Sequence, residues 1–323
     1  LSRIAVLTSG GDAPGMNAAV RAVVRTGIAR HCEVLGVEDG YTGLIEGRLR
    51  PLRVRDVGGI IASGGTILGT TRCQQLRTEA GQRAAIEQIR RYGLSGLVVV
   101  GGNGSQAGAA ALAKAEIPVI GLASTIDNDL AGVEVSIGAT TALDTVREAI
   151  DRLRVTAAAT RRVFLVEVMG RDTGHLALAA GIIGGAEAVV LPEIPAEPED
   201  IAREIVAAYE RGKSHAIVVV AEGAQYNAAG LARYFQDQHP RLGFELRTTV
   251  LGHVQRGGPP VAFDRMIATL LGAAAVERLM AQERSLLLGI SRGEVIAQDL
   301  AAVIGVRKPI DTGLLRLFGE LAA

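Results

Sequence analysis

Two glycine-rich segments, Gly10-Gly11-Asp12-Ala13-Pro14-Gly15 and Gly101-Gly102-Asn103-Gly104-Ser105, each stand between a short apolar run and a helix-like stretch. Glycines there let backbone amides approach a phosphate, and a helix start adds orphan N–H groups and a positive partial charge. Neither segment has the spacing of a P-loop or of the dinucleotide fingerprint. A tight turn without a ligand explains either one alone; two in one sheet favour phosphate binding. Asp127 and Asp129, in Thr125-Ile126-Asp127-Asn128-Asp129, follow a further apolar run. Transfer of a phosphoryl group to an alcohol needs a carboxylate near the hydroxyl and oxygen ligands for Mg²⁺. One Asp each fills those roles, and ordinary turn chemistry is the competing reading.

Cationic side chains form two further sets. Arg161, Arg162, Arg171, Arg247, His253 and Arg256 fall at strand ends or in nearby loops of the second half, where they suit an anionic sugar phosphate. Taken singly, each arginine is equally a solvated surface residue, and His253 equally a hydrogen-bonded loop histidine. Arg21 and Arg25 are four apart on one helix face, which fits an anion site or a solvated face alike. Arg154, Arg211, Lys213 and His215 are no easier to read.

The elements that must position these residues alternate between short β-branched runs and longer amphipathic stretches, the pattern of parallel sheets covered by helices. Strands are expected at residues 4–7, 97–100, 119–122, 163–168, 189–191, 216–220 and 249–251, and helices at 16–30, up to 115, and about 200–211. Leu143, Val146, Ile150 and Leu153 mark one face of another helix, for which Thr141 and Asp144 suggest a capping box. In open α/β sheets ligands bind beyond the carboxyl ends of the strands, so these loops should converge on one cleft or on two facing edges.

Composition narrows the class. The 323 residues carry 34 Lys+Arg and 34 Asp+Glu, 48% hydrophobic residues, 41 glycines, 3% aromatics and no Trp. The length suits about two domains, and the apolar content excludes disorder. A neutral balance with few aromatics argues against a dedicated nucleic-acid binder. Two cysteines, Cys32 and Cys73, make no disulfide framework, so a reducing cytoplasm is expected. No segment reaches about 18 uninterrupted apolar residues, so no membrane span is expected, and the N-terminus has no signal-peptide layout. Three cations are lysines (Lys114, Lys213, Lys308) and the remaining 31 are arginine, the side chain shaped for bidentate phosphate contacts.

Five motifs together carry a resemblance. They are the segment from Leu7 through Gly10-Gly11-Asp12 to Ala19, Gly64-Gly65-Thr66, Thr125 to Asp129, Glu167-Val168-Met169-Gly170-Arg171, and Leu251-Gly252-His253-Val254-Gln255-Arg256-Gly257-Gly258. In this order they resemble the bacterial ATP-dependent 6-phosphofructokinases, and the likeness runs from residue 3 to about 277. It implies two Rossmann-like lobes, each a mainly parallel sheet covered by helices, with the active site in the cleft between them. Residues 1–138 with 251–305 would form a larger ATP-binding lobe, and 139–250 with 306–323 a smaller lobe for fructose 6-phosphate. It also implies a cytoplasmic homotetramer that forms fructose 1,6-bisphosphate in glycolysis.

The same resemblance distributes roles. Gly11, Arg72, Cys73, Gly102, Asn103, Gly104 and Ser105 would hold ATP, with Asn103 and Asp129 on Mg²⁺. Asp127 would take the sugar hydroxyl proton, with Thr125, Arg72 and Arg171 about the transferred phosphate. Thr125, Ile126, Met169, Gly170, Arg171, Glu222, Arg247, His253 and Arg256 would bind fructose 6-phosphate, with Arg162 reaching in from a neighbouring subunit. Arg21, Arg25, Arg154, Gly185, Glu187, Arg211, Lys213 and His215 would form an allosteric site for ADP or phosphoenolpyruvate. Some positions depart from the family pattern. Asn103 stands where an Asp usually helps to hold Mg²⁺, which admits a catalytically weakened regulatory paralogue. Gly104 favours ATP over pyrophosphate, the other alternative, whereas Ser124 matches neither user. Cys73 and Leu76 replace bulkier residues near the adenine.

Overall fold

A computed structural model describes residues 2–242 and 244–322. It divides into unit 1, Leu1–Thr141 with Arg256–Lys308, and unit 2, Ala142–Gln255 with Pro309–Ala323. The chain first forms β1 (Arg3–Thr8), α1 (Met16–Ala29), β2 (Glu33–Val37), α2 (Gly40–Glu46), β3 (Leu49–Pro51) and α3 (Glu79–Arg91). Then come β4 (Gly96–Gly101), α4 (Asn103–Lys114), β5 (Val119–Ala123), α5 (Ala139–Thr160), β6 (Val163–Val168), α6 (His175–Gly184) and β7 (Ala188–Val190). After α7 (Pro198–Glu210), β8 (Ala216–Ala221), α8 (Ala228–Leu242) and β9 (Leu246–Val250), a 3-10 turn spans Gly252–Arg256. The chain ends with α9 (Ala262–Met280), β10 (Leu286–Ser291), β11 (Glu294–Asp299), α10 (Leu300–Val303) and α11 (Thr312–Ala322).

Unit 1 is built on a sheet of order β11-β10-β5-β4-β1-β2-β3, parallel except for its two antiparallel edge strands. β4 and β5 are buried along their whole length, which is why their sequence is a continuous apolar run rather than an alternating one. From β1 the chain goes to β2 on one side and later to β4 on the other. That reversal makes the β1/β4 pair the topological switch point, where a crevice opens at the carboxyl ends. Unit 2 is built on a four-stranded sheet of order β7-β8-β6-β9, parallel throughout. Val163, Leu165, Val218, Val220, Ile201, Ile205, Leu231 and Phe235 form a core on one face of it.

The expected α/β class with parallel sheets is the observed one. One local expectation is overturned. α5 begins at Ala139, so Thr141 lies inside it; the amide and hydroxyl of Thr141 donate to Asp264 of α9, while Asp144 pairs with Arg147 at 2.9 Å. A buried carboxylate distant in sequence caps this helix in place of a local box. β9 also extends further back than its sequence suggested, because Leu246 and Arg247 pair with Val163 and Phe164.

Candidate active site

In unit 1, three loops leave the carboxyl ends of the neighbouring strands β1, β4 and β5. The first ends at Gly15, which starts α1 at φ 113, and a Cβ there would stand 2.6 Å from Ile137 Cγ2. Only glycine meets both demands. The guanidinium of Arg256 packs on Gly11 and its Nη1 donates to Asp12 O at 2.9 Å. The second loop opens α4 at Gly102 with no side-chain cap, which leaves the start of that helix open to an anion, although Ser105 N already donates to Gly102 O at 2.9 Å. Ser105 is buried, and its carbonyl accepts from Tyr41 Oη at 2.7 Å. Gly104 is exposed with open space above its Cα.

The third loop carries Asp127, which is 2% exposed. Its amide donates to Thr125 Oγ1 at 3.1 Å, and a Cβ on Gly102 would lie 3.2 Å from Thr125 Cβ. Asn103 Nδ2 reaches Asp129 O at 3.4 Å, which joins the second and third loops. Thr125, Ile126, Asp127, Gly102, Asn103, Ser105 and Gly11 are therefore brought together at the switch point. Arg72 is exposed on the segment after Gly69, whose Thr70 hydroxyl donates to Gly10 O at 2.8 Å. Cys73 packs half-buried against the unit 1 core. Arg21 and Arg25 lie on α1, half-buried and exposed respectively.

In unit 2, Gly170 and Arg171 form the turn after β6, with φ of 144 and 51. Glu222, at the end of β8, fixes that turn: its Oε1 accepts from Gly170 N at 3.2 Å and Arg171 N at 2.8 Å. The amide of Met169 donates to Gln255 Oε1 at 3.2 Å, and Gln255 in turn donates to Gly252 O, which orders the turn carrying the exposed His253. Arg162 and Arg247 lie elsewhere. Arg162 Nε is 2.7 Å and Arg247 Nη2 3.5 Å from Glu245 Oε2, at the amino ends of β6 and β9. The length of β6, about 20 Å at about 3.3 Å per residue, separates them from Arg171.

A second cluster in unit 2 gathers five of the residues assigned to effector binding. Arg154 donates to the carbonyls of Gly184 and Gly185. Glu187 is buried and accepts from Lys213 Nζ at 3.1 Å and Ile217 N at 2.6 Å. Burial holds the His215 imidazole below its ordinary pKa; Glu187 opposes the shift, and Arg154 and Lys213 add to it. Arg211 instead donates to Ala322 O at 2.8 Å.

For Mg²⁺, Asn103 and Asp129 offer an amide oxygen and a carboxylate on adjacent loops of unit 1, joined by the 3.4 Å contact. No group of three or more His, Cys, Asp or Glu able to hold a metal occurs among the described residues. Both donors are hard oxygens, and Mg²⁺ is commonly held by one or two side chains with substrate phosphates and water. The residues present fit the ion.

Several positioning residues were not singled out in the sequence: Tyr41, Gln106, Ser136 and Asp264, while Gln255 lay within a motif without a role of its own. Gln106 is fully buried and its Nε2 lies 2.9 Å from Gly101 O and 3.1 Å from Leu122 O, tying β4 to β5 beneath the loops. A glutamine on the buried side of an alanine-rich helix was the available hint.

A profile of the phosphofructokinase family matches residues 3–279. An ATP-dependent 6-phosphofructokinase of Thermotoga neapolitana is 47% identical over 98% of both chains. ATP-dependent 6-phosphofructokinase 1 of Thermus thermophilus is 49% identical over 100% of both. Among solved structures, the phosphofructokinase of Pichia pastoris in the T-state matches with a TM-score of 0.89 at 36% identity, over 99% of this chain and 36% of that one.

Proposed function

Because the chain belongs to the phosphofructokinase family, we propose that it transfers the γ-phosphoryl group of ATP to the 1-hydroxyl of D-fructose 6-phosphate, giving fructose 1,6-bisphosphate and ADP. The observation that carries the reading is the buried Asp127, set on the loop after β5 beside two glycine loops at a topological switch point. Asp127 takes the hydroxyl proton as the new O–P bond forms and the bond to the ADP oxygen breaks. Gly11 and the Gly102–Ser105 loop hold the phosphates, and Arg72 and Arg171 offset their charge. Asn103 and Asp129 would hold Mg²⁺, which supplies charge neutralisation at the phosphates.

Met169, Gly170, Arg171, Glu222, His253 and Arg256 serve the sugar phosphate. Arg162 and Arg247 lie a strand's length from Arg171 in the same chain, which supports their acting on the sugar phosphate of a second copy within a homotetramer. Arg154, Gly185, Glu187, Lys213 and His215, with Arg21, Arg25 and Arg211, receive an anionic effector such as ADP or phosphoenolpyruvate. The enzyme works in the cytoplasm, and no helix among the described residues is long and apolar enough to cross a membrane. ATP rather than pyrophosphate is the donor, in keeping with the names of the relatives that match over the full length.

The test measures fructose 1,6-bisphosphate formation with Mg-ATP and with pyrophosphate, in the wild type and in Asp127→Ser. Turnover with Mg-ATP, reduced about 10²–10⁴-fold in the variant, is expected. Equal turnover in the variant overturns the assigned base. Turnover with pyrophosphate alone overturns the donor.

A further inference from the structure

Asp264 sits on α9, fully buried and remote in sequence from every loop of the site. Its Oδ1 accepts from Gly138 N at 2.9 Å, and its Oδ2 accepts from Thr141 N at 2.7 Å and Thr141 Oγ1 at 2.5 Å. Val261, at the start of the same helix, donates its amide to Thr141 Oγ1 at 3.1 Å and closes the network. Burial raises the carboxyl's pKa, and the bonds from Thr141 and Gly138 pull it back. Only a carboxylate accepts from three donors at one spot without an opposing N–H.

The segment held in this way touches two of the three loops. Ser136 Oγ, with Ser136 fully buried, donates to Thr125 O at 2.7 Å, and Ser136 N donates to Asn128 Oδ1 at 3.0 Å. Ile137 N donates to Ala123 O at 2.9 Å, continuing the edge of β5 into the segment. On its other side the segment lies against the first glycine loop: a Cβ on Gly138 would stand 2.6 Å from Ala13 Cβ. Asp264 thus fixes one strap that braces the Asp127 loop and the Gly10–Gly15 loop at once.

We propose that Asp264 is a positioning residue for phosphoryl transfer: through the 136–141 segment and Ser136 it holds the Thr125–Asp129 loop so that Asp127 meets the acceptor hydroxyl. The proposal rests on the reading in which Asp127 takes the proton. A residue that merely caps α5 would affect melting temperature and leave turnover per folded molecule alone. A positioning residue changes kcat, because a displacement of about 1 Å costs up to about 10²-fold.

The experiment compares kcat, KM for both substrates and melting temperature for Ser136→Ala, Asp264→Asn, Thr141→Val, Thr141→Ser and Asp127→Ser. Ser136→Ala leaves the Asp264 cap intact and removes the link to Thr125. It is expected to lower kcat about tenfold with KM values within about twofold. Asp264→Asn and Thr141→Val are expected to lower kcat likewise, and Thr141→Ser to restore it. Unchanged kcat in Ser136→Ala overturns the proposal, and this variant decides the matter if Asp264→Asn does not fold. Loss of activity in Asp127→Ser with full activity in Ser136→Ala overturns the strap and leaves the function standing. Full activity in Asp127→Ser overturns the reading beneath both.

Discussion

The guanidinium of Arg256 occupies the space that a side chain at Gly11 would need. A Cβ built on Gly11 would stand 2.3 Å from Arg256 Nη1, and that same nitrogen donates to Asp12 O at 2.9 Å. The two residues are remote in sequence, and each was assigned to a different substrate. Their contact makes the first glycine loop and the guanidinium proposed to serve the sugar phosphate one assembly. A buried arginine held by a backbone carbonyl keeps its remaining donors pointed in a fixed direction.

Gly11→Ala therefore acts on Arg256 before it acts on stability. The clash is with the end of a long side chain, so the loss of stability should stay within about 1 kcal/mol. The displaced guanidinium should lower kcat/KM for fructose 6-phosphate about tenfold, equivalent to about 1.4 kcal/mol. Steady-state kinetics beside a urea titration separate the two effects. Unchanged kcat/KM would show that the position of Arg256 is immaterial.

Asn103→Asp should strengthen Mg²⁺ binding. On the proposed reading the amide would contribute one neutral oxygen, and its Nδ2 makes a weak contact with Asp129 O at 3.4 Å that costs little to lose. A carboxylate adds a negative charge beside a hard cation, which should lower the Mg²⁺ concentration for half-maximal activity about three- to tenfold and raise turnover. Titration of activity with Mg²⁺ at fixed ATP reads the change. Neither quantity moving would dismiss Asn103 as a metal ligand.

Gln106 should prove intolerant of apolar replacement despite lying in a helix of small residues. Its Nε2 serves Gly101 O and Leu122 O, while its Oε1 is buried without a partner. Gln106→Met removes the donor shared by the carbonyls of Gly101, Leu122 and, at 3.3 Å, Val99, and the orphaned oxygen with it, for a net loss of about 1–3 kcal/mol. Gln106→Glu should cost more, since a buried carboxylate would face carbonyl oxygens. Urea midpoints give the order wild type, Met, Glu; equal midpoints would contradict the tie between β4 and β5.

Acidification should weaken the fold partly through His215, whose pKa burial depresses. An imidazole with a folded-state pKa below its unfolded value binds fewer protons when folded. Its contribution is therefore complete above about pH 6.5 and declines as pH falls through that value towards the folded pKa. In His215→Asn the fall in urea midpoint between about pH 7.5 and about pH 5.5 should be smaller than in the wild type. An equal or larger fall would place the acid sensitivity elsewhere.

The strands and most of the site loops were legible because each is a local statement. The apolar runs of β4, β5 and β8 are continuous because both faces are covered, and glycines at the β1 and β4 ends mark close backbone approach. The helix start at α5 was misread for the opposite reason. A local box and a remote carboxylate satisfy the same orphan amides, and a linear pattern cannot tell which one arrives. Arg162 and Arg247 do lie at strand ends, as expected, but a strand has two ends, and a residue's number does not say that these stand at the amino ends of β6 and β9.

By itself the sequence determined the α/β class, the apolar strands, the glycine loops and the family, since periodicity, composition and motif order are properties of a chain read in one dimension. Only the tertiary structure decided that Gln106 ties two strands, that Arg256 fills the space above Gly11, and that Asp264 anchors the strap against Thr125. The contacts of Arg256 and Asp264 join residues remote in sequence, and those of Gln106 and Ser136 join segments that no local pattern pairs. Their physical basis is the satisfaction of buried polar groups, which depends on what packing brings within about 3 Å.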